Sequence, residues 1–461
     1  MLAHVGPDGN SGPGLNLFKV SPVFLEESIK CYLLPDSMTT HSPSPRAAAI
    51  GIVLHWLESG LFPQREVGGD TPDYGMVLEL VQGTVRRCRT LGAVQDWLVP
   101  RKPARTVEAA LLVGLYQVFY QPNAAAHALV NETVEAARAV AGKGAAPLVN
   151  AVLRRALREK DDLLKRMQSL PFAIRLSHPD LLVERWRSRW NADAVEALCD
   201  WNNQPPHVTI RLCPSAGPAA EFRDRLASDG IMATAHPEAG DRWLQLPRGV
   251  AVTNVTGFES GQITVQDAST RWAVALLDPQ PGERILDLCA APGGKTAMIA
   301  ERVAEPGVLV ALDLHADRLA LLRGTLRRLR HDGVRVEQAD AQDPDALVLL
   351  EGAPFDRVLL DAPCTNTGVI RRRPDTRWRF SQERLKRLLG TQRKLLDAAS
   401  SCVKPGGCLV YSTCSLEQEE NEHQVSSWLE TNPSFIAESS RCVIPPGGGT
   451  DGAYAVRIRR D

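Results

Sequence analysis

Two cysteines in this chain stand in short motifs where a thiol could do chemistry: Asp361-Ala-Pro-Cys364 and Ser412-Thr-Cys-Ser415. Each follows an apolar run of strand character, so both sulfurs are expected at one edge of a sheet. A lone cysteine in apolar surroundings usually serves packing, and Cys88, Cys199, Cys213, Cys402 and Cys408 are read that way. Two thiols and a carboxylate at one edge suit a more demanding reaction, methylation of a cytosine at carbon 5. That carbon is a poor nucleophile. A thiolate adding at carbon 6 makes the ring enamine-like and able to attack an electrophilic methyl group. The adduct must then lose its carbon-5 proton and expel the enzyme, which calls for a base or second thiol nearby. Adjacent Arg and Lys would favour the thiolate form.

A methyl donor needs its own site. The run Asp287-Leu-Cys-Ala-Ala-Pro-Gly-Gly-Lys-Thr296 leaves an apolar strand and opens a helix. Gly293 and Gly294 let a ligand approach the backbone where a side chain would block it. The run is not a phosphate-cradling G-x-x-x-x-G-K-[ST] loop: Gly294-Lys295-Thr296 fit, but Cys289 stands where the first Gly is required. The three-glycine spacing of a dinucleotide fingerprint is also missing. Acidic residues instead close successive strands. Asp313, ending the second, is placed to accept hydrogen bonds from a ribose diol. Asp340, after the third, could hold the amino group of an adenine or the backbone of the cofactor, and Asp361 ends the fourth. A nucleoside-bearing cofactor without a phosphate chain, such as S-adenosylmethionine, fits this set. Cys289 is read as a small wall residue beside the loop.

These motifs need a sheet to position them. From about residue 261 to 461, strand candidates Arg284–Leu288, Val308–Asp313, Val334–Gln338, Asp356–Asp361 and Gly407–Tyr411 alternate with helical segments. That alternation predicts an α/β, Rossmann-like domain with a doubly wound parallel sheet and ligands at the C-terminal strand ends. Residues 46–165 carry helical periodicity, with Glu108–Tyr120 apolar on most sides, and predict an all-helical domain of about five or six helices. Residues 166–260 mix helices with the strands His207–Leu212 and Arg242–Leu246, a small α+β linker module. Residues 1–45 are rich in Gly, Pro and Ser without periodicity and read as a disordered extension; Met38 could even be the start of translation.

The motifs in combination closely resemble those of Sun/Fmu-type RNA cytosine-5 methyltransferases. The resemblance is carried by Leu286-Asp-Leu-Cys-Ala-Ala-Pro-Gly-Gly-Lys295, Asp361-Ala-Pro-Cys364, Thr367-Gly-Val-Ile-Arg-Arg372, Tyr411-Ser-Thr-Cys-Ser415 and Glu419-Glu-Asn-Glu422. The helical N-terminal region is similar to the NusB-like RNA-binding domain of the bacterial ribosomal members, so the resemblance runs from about residue 46 to the end. It implies that Cys414 is the nucleophile and that Cys364 helps release the product. It further implies that the loop Cys289, Ala290, Ala291, Pro292, Gly293, Gly294 and Lys295, with Asp313 and Asp340, binds S-adenosylmethionine. Asp361 is implied to serve either the cofactor or the target base. The implied substrate is 16S ribosomal RNA, in a loop or not fully assembled, because reaching carbons 5 and 6 together requires an unstacked base. One departure stands out: where the family reads C-S-G-T-G, this chain has Cys364-Thr-Asn-Thr-Gly368, with Asn366 replacing a Gly. A DNA cytosine-5 methyltransferase would use Cys364 as nucleophile, but the T-C-S motif and the NusB-like region disfavour it. An RNA-binding assembly factor with a silent fold is the other alternative.

Two basic runs are candidates for RNA contact. Arg371–Arg373, Arg377, Arg379, Arg384, Lys386 and Arg387, interleaved with Trp378 and Phe380, are expected to engage phosphates and stack an unpaired base. Arg323, Arg327, Arg328 and Arg330 could do the same or form a solvated helix face. A net charge of -1 does not oppose this, since only the contact surface must be basic. No segment is apolar enough to span a bilayer, no secretory signal is visible, and the 10 cysteines lack zinc-site spacing. A cytoplasmic monomer with reduced thiols and no metal is expected.

Overall fold

The computed structural model describes residues 43–461 except 61, 68–70, 72, 122–124, 304–306 and 351–352. The expected N-terminal extension lies outside the described residues as far as 42, and the first helix begins at Pro45. Its start is specified locally: the Ser44 side chain accepts from the Ala47 N–H and proline occupies the first turn. Helices Pro45–Ser59, Tyr74–Leu98, Ala126–Ala141 and Ala146–Arg158 surround Arg105–Tyr120, whose residues Glu108 to Val118 are all buried. Leu163 and Met167 of helix Lys160–Gln168 join the same core, so this helical layer continues past the expected 165.

The next helices, Phe172–Arg175, Asp180–Arg187 and Ala192–Asn203, share a core with Ile370, Phe380, Leu385 and Leu416, far along the chain. Behind them lies a four-stranded antiparallel sheet of β1 (Thr209–Leu212), β2 (Thr234–His236), β3 (Gly240–Gln245) and β4 (Ile263–Val265), in the order β2-β3-β1-β4. Phe222 and Leu226 of helix Ala219–Ser228 pack on it. Because β4 pairs with β1, this layer also outlasts its expected end at 260.

The third layer is a seven-stranded sheet: β5 (Arg284–Leu288), β6 (Val308–Asp313), β7 (Arg335–Gln338), β8 (Phe355–Asp361), β9 (Val403–Thr413), β10 (Phe435–Val443) and β11 (Ala453–Arg460). Its order is β10-β11-β9-β8-β5-β6-β7. The five strands β5 to β9 pair in parallel, as expected. Beyond these five, β11 pairs antiparallel to both β9 and β10 and extends the sheet at one side. Most of β10 is exposed, so it lacks the apolar alternation by which a strand is recognised. Helices Arg271–Leu277 and Gln382–Ser401 cover opposite faces. The chain runs outward from β5 to β7 and returns on the other side of β5 as β8, which opens a crevice at the C-terminal ends of β5 and β8.

Candidate active site

Strand register delivers the two cysteines to one point. Asp361 at the end of β8 lies opposite Ser412 near the end of β9, and each motif cysteine follows a few residues later. The Sγ atoms of Cys364 and Cys414 are 3.4 Å apart. The Ser412 hydroxyl donates to Asp361 Oδ1 at 2.7 Å, while Lys295 Nζ donates to Asp361 Oδ2 at 2.6 Å. Burial alone would lower the Lys295 pKa, but the Asp361 carboxylate more than offsets it and holds the ammonium charged. Cys364 is buried; its hydrogen bond to Cys414 and then desolvation raise its thiol pKa well above the ordinary value. Cys414 is half-buried, and its sulfur lies 3.0 Å from Asn366 Oδ1.

A buried carboxylate that sequence reasoning assigned no role ties the two cysteine loops together. Glu420 Oε1 accepts from the Thr365 backbone N–H at 2.8 Å and from Gln392 Nε2 at 3.0 Å. Its Oε2 accepts from the hydroxyls of Thr365 and Ser415, the residues that directly follow Cys364 and Cys414. Burial raises the Glu420 pKa, and the four donors work in the opposite direction. Gly368 closes the same junction: its N–H reaches the Cys414 carbonyl at 2.9 Å, and a Cβ there would lie 2.7 Å from that oxygen and from the Gly452 carbonyl. The Glu419-Glu-Asn-Glu422 run was the available signal for Glu420.

The loop between β5 and helix Gly294–Ala300 forms the other wall. Asp287 is fully buried; Thr296 donates to its Oδ2 at 2.6 Å, while its Oδ1 has no partner. Burial raises this carboxyl to about 7. Gly293 has φ +100°, and a Cβ on it would sit 2.6 Å from Leu322 Cδ1, so backbone and packing already require glycine. Gly294 is tight against Gln266, 3.2 Å from where its Cβ would be. Ala290 and Ala291 are buried, Pro292 is exposed, and burial followed by the Asp313 charge raises the Cys289 thiol to about 12. Asp313 accepts from the Ala291 and His315 N–H groups at 3.3 Å each and faces Arg318 at 3.4 Å. Asp340 is exposed and accepts from the Gln342 N–H at 2.9 Å. This donor set fits a cationic sulfonium with ribose hydroxyls: it is rich in carboxylates, one buried carboxyl oxygen is unpartnered, and Lys295 is bound to Asp361 instead of offered to a phosphate.

The first basic run does not form the expected RNA surface. Arg377 is fully buried and donates to the carbonyls of Ser177 at 2.9 Å and Asn202 at 3.0 Å, and to Asn203 Oδ1 at 2.8 Å. Trp378 Nε1 donates to the Val85 carbonyl at 2.8 Å, Arg371 lies 3.8 Å over the Trp201 ring, and Arg379 pairs with Asp375 at 2.6 Å. Arg372 bridges Asp267 and Asp451 at 2.7 Å each, and Phe380 is buried. Arg371, Arg377 and Trp378 thus tie the segment after β8 to the helical layers. Arg373, Lys386 and Arg387 remain exposed, as do Arg323, Arg327 and Arg330 of the second run. Arg328 instead caps the Phe258 and Ile263 carbonyls at 2.7 and 2.8 Å. Among the described residues, no His/Cys/Asp/Glu group is placed to hold a metal, and no helix is long and apolar enough to cross a membrane.

A mixed sheet with this switch point and this acidic, glycine-bearing loop defines an S-adenosylmethionine-dependent methyltransferase. Within that class the chain belongs to the 16S rRNA methyltransferase RsmB/F family, which residues 274–447 match. Residues 44–158 match the NusB family, and residues 178–253 match the ferredoxin-like domain of RsmF/B-like methyltransferases. The chain is 36% identical over 414 residues to ribosomal RNA small subunit methyltransferase B of Erwinia tasmaniensis, covering 87% of this chain and 94% of the relative. It is 37% identical over 388 residues to the probable ribosomal RNA small subunit methyltransferase B of Synechocystis sp., covering 82% and 85%. A crystal structure of a methyltransferase homolog protein from Pyrococcus horikoshii superposes with a TM-score of 0.55 at 28% identity, over 63% of this chain and 97% of that one.

Proposed function

We propose that this enzyme methylates carbon 5 of a cytosine in 16S rRNA, as a monomer acting on RNA not fully assembled, through a covalent bond between Cys414 and carbon 6. Cys414 sulfur forms the S–C6 bond, and the C5=C6 pair becomes the nucleophile at carbon 5. S-adenosylmethionine, when bound, supplies the electrophilic methyl group and keeps the electron pair of the broken S–CH3 bond. Loss of the carbon-5 proton to a base on the Cys364 side restores the double bond, and Cys414 leaves with the S–C6 pair; Cys364 assists this release. The residues from Cys289 to Lys295, with Asp313 and Asp340, hold the donor. Asp361 serves the donor or the target base. The helical unit from residue 46 and the α+β unit after it present the RNA to the methyltransferase unit.

The observation that carries this reading is the 3.4 Å approach of two thiols beside a carboxylate held by Lys295. The half-buried sulfur, Cys414, suits attack on an incoming base, and the buried one held as a thiol suits a supporting part. Separate Cys414→Ala and Cys364→Ala variants, given labelled donor and protein-free 16S rRNA, test it. Cys414→Ala should neither methylate nor cross-link, and Cys364→Ala should accumulate a covalent RNA adduct that survives denaturation. The reverse pattern would exchange the two roles, and RNA binding without label transfer by the unmodified enzyme would indicate a silent fold.

A further inference from the structure

Asn366 lies beside the two paired thiols, nearer Cys414, at the position where this chain departs from the glycine of its family pattern. Its backbone is left-handed, φ 62°, a conformation that asparagine tolerates better than other residues with a side chain. The orientation of its carboxamide is determined by chemistry. Nδ2 lies 3.0 Å from the Cys364 carbonyl oxygen, which can only accept, so the amino end must face it. Oδ1 therefore faces the sulfurs, 3.0 Å from Cys414 and 3.9 Å from Cys364. The two sulfurs are already paired at 3.4 Å, so Oδ1 is the further acceptor that receives the Cys414 S–H.

We propose that the Asn366 carboxamide is a positioning residue for the methyl-transfer reaction, holding the resting Cys414 S–H on Oδ1 and directing the sulfur toward the target base once its proton has left. The inference rests on Cys414 being the nucleophile. An acceptor oxygen attracts an S–H and repels a thiolate, so deprotonation turns the contact from a tether into a push. The side chain acts through Cys414 and does not itself form a bond to the base.

Asn366→Gly tests this with little risk to the fold, because glycine adopts φ 62° without strain. The first-order rate of covalent adduct formation on 16S rRNA should fall about tenfold at its plateau, the scale expected when a nucleophile loses its alignment. The KM for the methyl donor should not change. A side chain that only braced the loop would lower the melting temperature and leave the plateau rate of the folded enzyme in place. Asn366→Gly with the plateau rate of the unmodified enzyme overturns the inference. Cys414→Ala is run alongside: adduct formed by that variant would overturn the reading of the nucleophile instead, so the two failures are distinct.

Discussion

Glu420 accepts a hydrogen bond at 2.8 Å from the backbone N–H of Thr365, the residue next to Cys364, and through its other oxygen holds Ser415, the residue next to Cys414. One buried carboxylate thus sets the spacing of both thiols without touching either. Register brings β8 and β9 together, but the loops beyond them need a common anchor, and Glu420 is that anchor.

Replacing Glu420 separates anchoring from chemistry. Glu420→Ala strands the Thr365 N–H in a buried site, at about 1–3 kcal/mol, while the Gln392 amide keeps the Pro363 carbonyl and the Thr365 and Ser415 hydroxyls keep each other. A drop of about 1–3 kcal/mol in unfolding free energy is expected, with methyl transfer lost. Glu420→Gln keeps one acceptor, and the hydroxyls can rotate, so it should fold and retain partial activity. Urea denaturation and label transfer on the same preparations check both. Normal stability in Glu420→Ala would show that the network does not bear on the junction.

Arg377 supports a prediction opposite to its sequence-based reading as an RNA contact. Its buried guanidinium bonds to Ser177, Asn202 and Asn203. These partners are neutral, so truncation to alanine should cost about 1–3 kcal/mol for each acceptor left unpaired in the buried site. The salt dependence of RNA binding by the folded fraction should be unchanged. Arg373→Ala, exposed nearby, should leave stability within about 0.5 kcal/mol. If it meets a phosphate, it should reduce the salt slope by about 1. A reduced slope in Arg377→Ala, measured by filter binding across a salt series, would restore the earlier reading.

What could be read from the chain beforehand follows a physical divide. The thiol motifs, the glycine loop and the parallel core strands were legible because each is short and local, with its chemistry written in adjacent residues. Arg371, Arg377 and Trp378 were misread because charge near a motif suggests solvent or RNA. Their partners, Trp201, Asn203 and Val85, lie far back in the chain, and no periodicity links them. Glu420 was visible only as part of a motif, since its value depends on loops that meet in space. The antiparallel strand β10 escaped because it is polar and forms an exposed sheet edge. The ends of the first two layers shifted by a few residues because Met167 and β4 are assigned by what they pack against or pair with.

Lys295 offers a kinetic test of where its charge acts. The ammonium is bound to Asp361 at 2.6 Å, and that carboxylate holds it protonated against the effect of burial. Lys295→Met should lower kcat by about 100-fold, the scale for losing a positioned charge at a reacting centre. The KM for the methyl donor should change less than kcat. A large rise in KM with kcat preserved would instead place the Lys295 contribution in donor binding.

Asp287 predicts a pH dependence of stability whose sign is fixed by its burial. The carboxyl is raised from 3.8 to about 7 by burial, with the Thr296 hydrogen bond working in the opposite direction. Unfolded, it titrates near the ordinary aspartate value of about 3.9. Between those values the native state retains a proton that the unfolded chain has released. A group raised in this way contributes stability that is complete below the unfolded value and is lost as pH rises through about 7. Asp287→Asn removes the titration and keeps an oxygen to accept from Thr296. Relative to that variant, the unmodified enzyme should lose about 2–3 kcal/mol of unfolding free energy from pH 5 to pH 8. Urea midpoints of the two proteins, measured without donor at half-unit intervals, report the difference directly. Parallel curves across that range would mean that the buried carboxyl is already ionised at pH 5.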